Sequence, residues 1–246
     1  MEVKYLNFSE DSKLDTTFLC KYIPLERALQ AVIDNKLWFS NPEKWLDPYE
    51  SFFLNNSFDD HDCVLKNRVW VTCFTTRGRS EAQWKAYTEN DLALMLELDG
   101  QSLLNQLSEI MQKDATIYVG KVQYVPTRRF KESRCCDILG VTQSDLQGMP
   151  EEELSVRLML LKRLAFQYEN EIRVFLIFHN QLDKPNVDGG FVNGIFDNGI
   201  IKRITICPNA RGHTREMLQN YLKEKGYKVT CHHLYDDVIN KVIELP

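Results

Sequence analysis

Four carboxylates and one guanidinium stand where they could do chemistry. Glu169, Glu171 and Arg173 occupy alternate positions at the head of residues 172–178, the most hydrophobic strand-like run in the chain. A strand alternates its side chains with period 2. An extended segment beginning at Glu169 therefore puts Glu169, Glu171 and Arg173 on one face and Ile172, Val174, Leu176 and Phe178 on the other, with Phe175 and Ile177 continuing the charged face as apolar packing. Charge at the mouth of a buried strand costs free energy unless it is paired or used. The two readings are a Glu–Arg ion pair closing the strand end and a carboxylate site that acts on a ligand. Asp47-Pro48-Tyr49-Glu50 adds two more acids. Their spacing is that of an Asp-x-x-Glu capping box. If Asp47, Glu50, Glu169 and Glu171 converge, they could instead hold Mg²⁺ in a metal-dependent nuclease. Arg173 stands where such a site usually carries a lysine.

The elements that must position these residues follow from periodicity. Residues 18–23 read as a strand, and Pro24 opens a helix with Leu25, Ala28, Leu29, Val32 and Ile33 at helical spacing. Residues 37–40 form a second short strand that runs into the turn signal Asn41-Pro42. Residues 69–75 are a strand, and Ser80 caps a helix from Glu81 to Tyr87. Trp84 and Tyr87, three apart, face the same way on it and suit core packing. Residues 92–98 read as a strand ended by Gly100, although their composition would also suit a helix; residues 103–111 read as a helix, and residues 117–125 as a strand stopped by Pro126. Residues 127–150 have the weakest pattern and read as an insertion. Residues 151–168 read as one long amphipathic helix with Leu154, Leu158, Leu161, Ala165 and Tyr168 on one side. Asp197-Asn198-Gly199 reads as a hairpin turn between residues 191–196 and 200–207. A helix over 214–225 closes at Gly226, and residues 227–234 form a last strand. The expectation is a polar N-terminal arm over 1–17 and one α+β domain over 18–246, built of short mixed strands with flanking helices.

Composition bounds the function. The 246 residues suit one large domain or two small ones at roughly 150 residues each. A net charge of −5 disfavours a general nucleic-acid binder, and the run Arg128-Arg129-Phe130-Lys131 suits a solvated loop. The N-terminus shows no signal core, and no apolar run is long enough to span a membrane. Seven scattered cysteines, odd in number and without a C-x-x-C pair, predict reduced, cytoplasmic usage. Cys63, Cys73, Cys207, Cys231, His232 and His233 fit no zinc-ligand spacing, so no zinc site is expected.

The order of motifs is similar to that of a widespread bacterial domain-of-unknown-function family. It runs Lys21-Tyr22, then Phe39-Ser40 with Asp47-Pro48-x-Glu50, then Cys73-Phe74, Trp84-x-x-Tyr87 and Glu169-x-Glu171-x-Arg173, over about residues 18–235. Leu46 replaces the family's usual asparagine, and Thr75 its usual serine. More distantly, the layout resembles an ADP-ribosyltransferase fold. That resemblance implies a site for NAD as substrate. Lys21 or Tyr22 would anchor the nicotinamide ribose, and Ser40 or Thr75 would supply the hydroxyl. Trp84 and Tyr87 would form the aromatic shelf, and Glu171 with Glu169 would be the catalytic carboxylates, supported by Asp47, Glu50 and Arg173. Lys21 departs from the arginine or histidine usual at the first anchor. Cleaving the nicotinamide–ribose bond builds positive charge on the sugar, which a fixed carboxylate stabilises. The implied protein is an NAD-consuming transferase or glycohydrolase, a toxin or an antiviral-defence effector. Its small-molecule partner is a nucleotide and its acceptor a protein, a nucleic acid or water. The competing readings are the nuclease and a non-enzymatic module that binds a nucleotide or a protein. Ser40 alone would serve as a turn residue, and Lys21 as an exposed residue on a strand edge. On the site reading, Tyr22, Ser40, Trp84 and Glu171 are expected to line one cleft.

Overall fold

The computed structural model describes residues 3–8, 18–45, 47–50, 65, 67–78, 80–88, 91–132, 134–180, 187–188, 190–196 and 199–231. In chain order, β1 is Val3–Leu6 and β2 is Phe18–Pro24. Pro24 then starts helix α1, Leu25–Ile33, where its missing N–H leaves no helical bond unmade. After β3, Lys36–Trp38, comes β4, Val69–Thr75. Helix α2, Glu81–Tyr87, is capped by the Ser80 hydroxyl, which accepts from the Gln83 N–H. Strand β5, Ala93–Asp99, runs directly into α3, Gly100–Met111, because the Asp99 carboxylate caps it at the Ser102 N–H. Strand β6 is Ala115–Lys121 and β7 is Gln123–Val125. The insertion expected at 127–150 folds as three short helices, α4 (Thr127–Glu132), α5 (Cys135–Leu139) and α6 (Gln143–Gly148). Cys135, Cys136, Ile138 and Leu146 share an apolar cluster with Leu154, Leu158 and Leu161. Helix α7, Glu151–Met159, and β8, Leu161–Arg163, lead through a 3-10 turn, Leu164–Glu169, into β9, Glu171–Phe178. The chain continues with β10 (Val187–Asp188), β11 (Phe191–Asn193), β12 (Ile201–Ile206), helix α8 (Gly212–Glu224) and β13 (Val229–Thr230).

Eight strands form one mixed sheet in the order β1-β6-β9-β4-β2-β5-β12-β13. Only its two outer pairs, β1 with β6 and β12 with β13, are parallel. Strand β9 lies between β6 and β4, antiparallel to both. Every residue of β9 is buried. Its alternation is as the sequence predicts. Ile172, Val174, Leu176 and Phe178 enter the main core, which includes residues of α1 and α3. Phe175 and Ile177 enter a second core with Tyr118, Val156, Met159 and Leu160. A separate three-stranded sheet, β10-β11-β3, and the parallel pair β7-β8 complete the architecture. The fold is mixed α and β. No helix among the described residues is long and apolar enough to cross a membrane.

Four expectations are corrected. The helix expected over 151–168 ends at Met159. Leu158, Met159, Leu160 and Leu161 are all buried, but against two different clusters, so one helical face cannot serve them. The chain extends instead as β8, pairing with β7 and turning Lys162 inward. The strand expected from Glu169 begins at Glu171, because Asn170 adopts a left-handed φ of 44° and redirects the backbone. The strand expected over 117–125 is broken at Val122, whose N–H bonds to the Glu171 carbonyl. The strands on either side of the expected hairpin turn do not pair. β11 pairs with β3 and β12 with β5. Asp197 and Asn198 lie outside the described residues, as do Leu46, Cys63, His232, His233 and most of the N-terminal arm.

Candidate functional site

The head of β9 collects the charge. Arg173 is 1% exposed. Its Nε and Nη2 donate to Glu171 Oε1 and Oε2 at 3.1 and 2.9 Å, the two-pronged geometry that suits a guanidinium and a carboxylate. Its Nη1 donates to the Met159 carbonyl at 2.6 Å, and Nη2 also reaches Glu50. The Trp45 ring lies 4.6 Å from the guanidinium. Lys162 Nζ sits among three carboxylates, 2.5 Å from Glu169, 3.2 Å from Glu171 and 3.5 Å from Glu50. Glu50 arrives from the helical turn at residues 48–50. Asp47 anchors that turn. Its Oδ1 accepts from the Tyr49 N–H at 2.9 Å, and its Oδ2 pairs with Arg163 at 2.9 Å. The capping box expected of Asp47 and Glu50 is thus replaced by an Asx-type turn, and Glu50 faces Arg173.

Two adjoining cavities meet at this cluster. The smaller is about 290 Å³ and the larger about 530 Å³. Lys21, Trp38, Cys73, Tyr87, Glu169 and Glu171 line both. Tyr22, Thr75 and Gln83 add to the smaller cavity. Ser40, Trp45, Phe166 and Tyr168 add to the larger one, with Asp47, Glu50 and Arg173.

The expected single cleft is therefore two cavities, and the structure corrects one of its members. Trp84 is 3% exposed and meets Tyr22 edge-on at 4.8 Å, so it packs in the core and lines neither cavity. The helical turn that buries Trp84 leaves Tyr87 at the cavities. Tyr22 lines the smaller cavity, but its hydroxyl donates to the Arg77 carbonyl and accepts from the Ser80 N–H, both at 3.2 Å. Ser40 lines the larger one. Its hydroxyl donates to the Val71 carbonyl and accepts from the Trp45 indole. Thr75 donates to the Glu169 carbonyl at 2.6 Å, and Gln83 donates to the same oxygen at 2.9 Å, so both position the backbone of Glu169. Lys21 is buried rather than exposed on an edge, donating to Thr72 Oγ1 at 2.8 Å and the Cys73 carbonyl at 2.9 Å. Sequence reasoning missed Lys162, Trp38 and Trp45. The interpretable signal for Lys162 was the unbroken apolar run 158–161 ahead of it, which has no place on an amphipathic helix.

The two carboxyls of the shared wall are driven apart. Burial alone would raise Glu171, but Arg173 and Lys162 outweigh it and hold its pKa at about 2. Burial raises Glu169 above the usual carboxylate value, against the pull of Lys162. Lys162 holds Glu169 Oε2, and Oε1 has no hydrogen-bond partner among the described residues. Lys162 itself is lowered by burial but raised further by the carboxylates, Glu171 first. Burial lowers Lys21. Burial, reinforced by Glu171, raises the Cys73 thiol, which stays protonated and is a poor nucleophile. A fixed anion beside a carboxyl whose pKa burial raises is the arrangement from which acid and base roles divide. For a nuclease, the same carboxylates would have to turn toward a metal. Here Glu50, Glu169 and Glu171 turn toward the Lys162 ammonium, and Asp47 turns to Arg163. Among the described residues no group of three or more His, Cys, Asp or Glu is placed to hold a metal ion. No family model matches this chain, and no curated protein matches it.

Proposed function

We propose that this protein cleaves the nicotinamide–ribose bond of NAD, as an ADP-ribosyltransferase or a glycohydrolase. The observation that carries the reading is the pair of unlike carboxyls, Glu169 and Glu171, on the wall common to two aromatic-lined cavities. Glu171 serves as the fixed negative charge that stabilises an oxocarbenium-like sugar. Glu169 holds or accepts the proton, through the oxygen that Lys162 leaves free. Tyr87 and Trp38, which border both cavities, offer flat faces for nicotinamide. Such chemistry suits a toxin or defence effector that drains NAD or modifies a protein or nucleic acid.

The test is nicotinamide release measured beside thermal melting for wild type, Glu169→Gln and Glu171→Gln. Glutamine keeps the shape of glutamate and removes its charge and its titrating proton. We expect Glu169→Gln to lower release by about 10²–10³ with little change in melting temperature. Equal rates for wild type and Glu169→Gln would end the mechanism. A second reading, a nucleotide-binding module without catalysis, is favoured by the Glu171 carboxylate, both of whose oxygens are already held by cations. NAD that binds without releasing nicotinamide would select it.

A further inference from the structure

Two cations that pair with neither of the site's carboxylates line the smaller cavity. Arg27 on α1 and Lys36 on β3 both line it. The Arg27 guanidinium is held against Trp38, 3.8 Å from the ring centre, and against Phe191 at 4.8 Å. Those two rings lie edge to face, 4.8 Å apart, so they brace the cation from two sides. Ring contacts occupy the face of a guanidinium and leave the N–H groups on its edge available to an acceptor. Neither Arg27 nor Lys36 has an ion-pair partner among the described residues. At the head of β9, by contrast, Arg173 and Lys162 are saturated with carboxylates. A guanidinium oriented by ring contacts and an ammonium lining the same cavity match an anion with several oxygens, and a phosphoryl group best uses the planar fork.

We propose that the smaller cavity seats a phosphoryl group between Arg27 and Lys36, so that its ligand is a phosphorylated compound and not a free nucleoside or sugar. This rests on the cavities being a ligand site, as in the reading above, and does not need bond cleavage. Glu169 and Glu171 line the same cavity, and a phosphoryl group held by the two cations leaves them the uncharged portion of the ligand.

The test is calorimetric titration of the full chain with NAD, ADP-ribose and inorganic pyrophosphate, beside phosphate-free nicotinamide riboside and adenosine. Nicotinamide release is followed in the same samples. The phosphorylated ligands should bind at least tenfold more tightly than their phosphate-free counterparts, and less tightly as salt rises. Arg27→Gln should weaken NAD and ADP-ribose at least tenfold. Arg27→Lys should restore only part of this, because it returns the charge without the fork. Melting curves check each variant, and Lys36→Gln, which leaves the stack on Trp38 and Phe191 intact, gives the reading if Arg27→Gln does not fold. Pyrophosphate competing with ADP-ribose places the affinity in the phosphates. Binding without nicotinamide release keeps the phosphoryl site and sinks the glycosidic reading. Nicotinamide riboside cleaved as fast as NAD, with Arg27→Gln and Lys36→Gln unaltered, overturns the phosphoryl site and leaves the glycosidic reading standing. Absence of binding by every phosphorylated ligand overturns it as well.

Discussion

Arg173 and Glu171 carry opposite risks for one molecule. Their fork is buried, with Arg173 1% and Glu171 4% exposed, so neither can be removed alone without leaving the other uncompensated. Breaking a buried pair from one side costs about 3–5 kcal/mol. Arg173→Met should therefore lower stability by that amount in denaturant titration, and more than Glu169→Gln. The pH dependence follows from Glu171. Its folded pKa is depressed to about 2, so the stability it contributes is present above the unfolded value, near that of a free glutamate, and is lost as pH falls from there toward 2. That contribution is on the order of 3 kcal/mol at neutral pH. Glu169, with a raised pKa, works in the opposite sense: its contribution is present at low pH and fades as pH rises through its folded value. Melting temperatures of wild type and Glu171→Gln between pH 6 and 3 should converge as acid removes the advantage of the wild type. Parallel curves would mean that the fork does not hold Glu171 ionised.

At the scale of elements, the site depends on how α7 gives way to β8. Gly120 on β6 is paired directly with Arg173 on β9. A Cβ there would lie 2.2 Å from Leu160 Cδ1, so glycine is what lets Leu160 pack onto the sheet where α7 ends. Gly120→Ala should cost about 1–3 kcal/mol through overpacking. It should also displace Lys162, two residues beyond Leu160, and lower nicotinamide release more than it lowers melting temperature. Full stability in Gly120→Ala would show that the end of α7 can shift freely. Asn170 acts on the same joint. Its left-handed backbone ends the 3-10 turn and sets Glu169 and Glu171 on separate elements that meet again at Lys162. Glycine suits that conformation and a β-branched residue does not. Asn170→Gly should keep activity, and Asn170→Val should lose both stability and nicotinamide release.

Across the whole molecule, three layers of packing converge on one spot. The eight-stranded sheet brings β9, β4 and β2 side by side, and with them Glu171, Cys73 and Lys21. The small sheet of β3, β10 and β11 adds Trp38 from another part of the chain. The turn at 48–50 joins the cluster through the pair of Glu50 with Arg173. A ligand filling the shared space would contact all of these parts. Binding of NAD or ADP-ribose should therefore raise the melting temperature of the entire domain in proportion to the logarithm of ligand concentration.

The alternation of residues 171–178 was legible because period 2 along a strand depends on nothing distant, and the two cores on either side of β9 follow it. Strand β4 and helix α2 with its Ser80 cap were legible for the same reason, since caps and short-range periodicity are local chemistry. Glu171 beside Arg173 was visible as a costly pair of charges in an apolar run. Lys162 was not, because its environment comes from Glu50, more than a hundred residues earlier, and from strand β7, which draws the end of a helical pattern into an extended pairing. Trp84 and Tyr87 look equivalent in sequence, and only the position of α2 against Tyr22 decides that one is core and the other cavity wall. Local spacing determines which face a side chain takes on its own element. Which charges share a cavity depends on the order of strands in the sheet, and that order is set by long-range burial that no window of sequence contains.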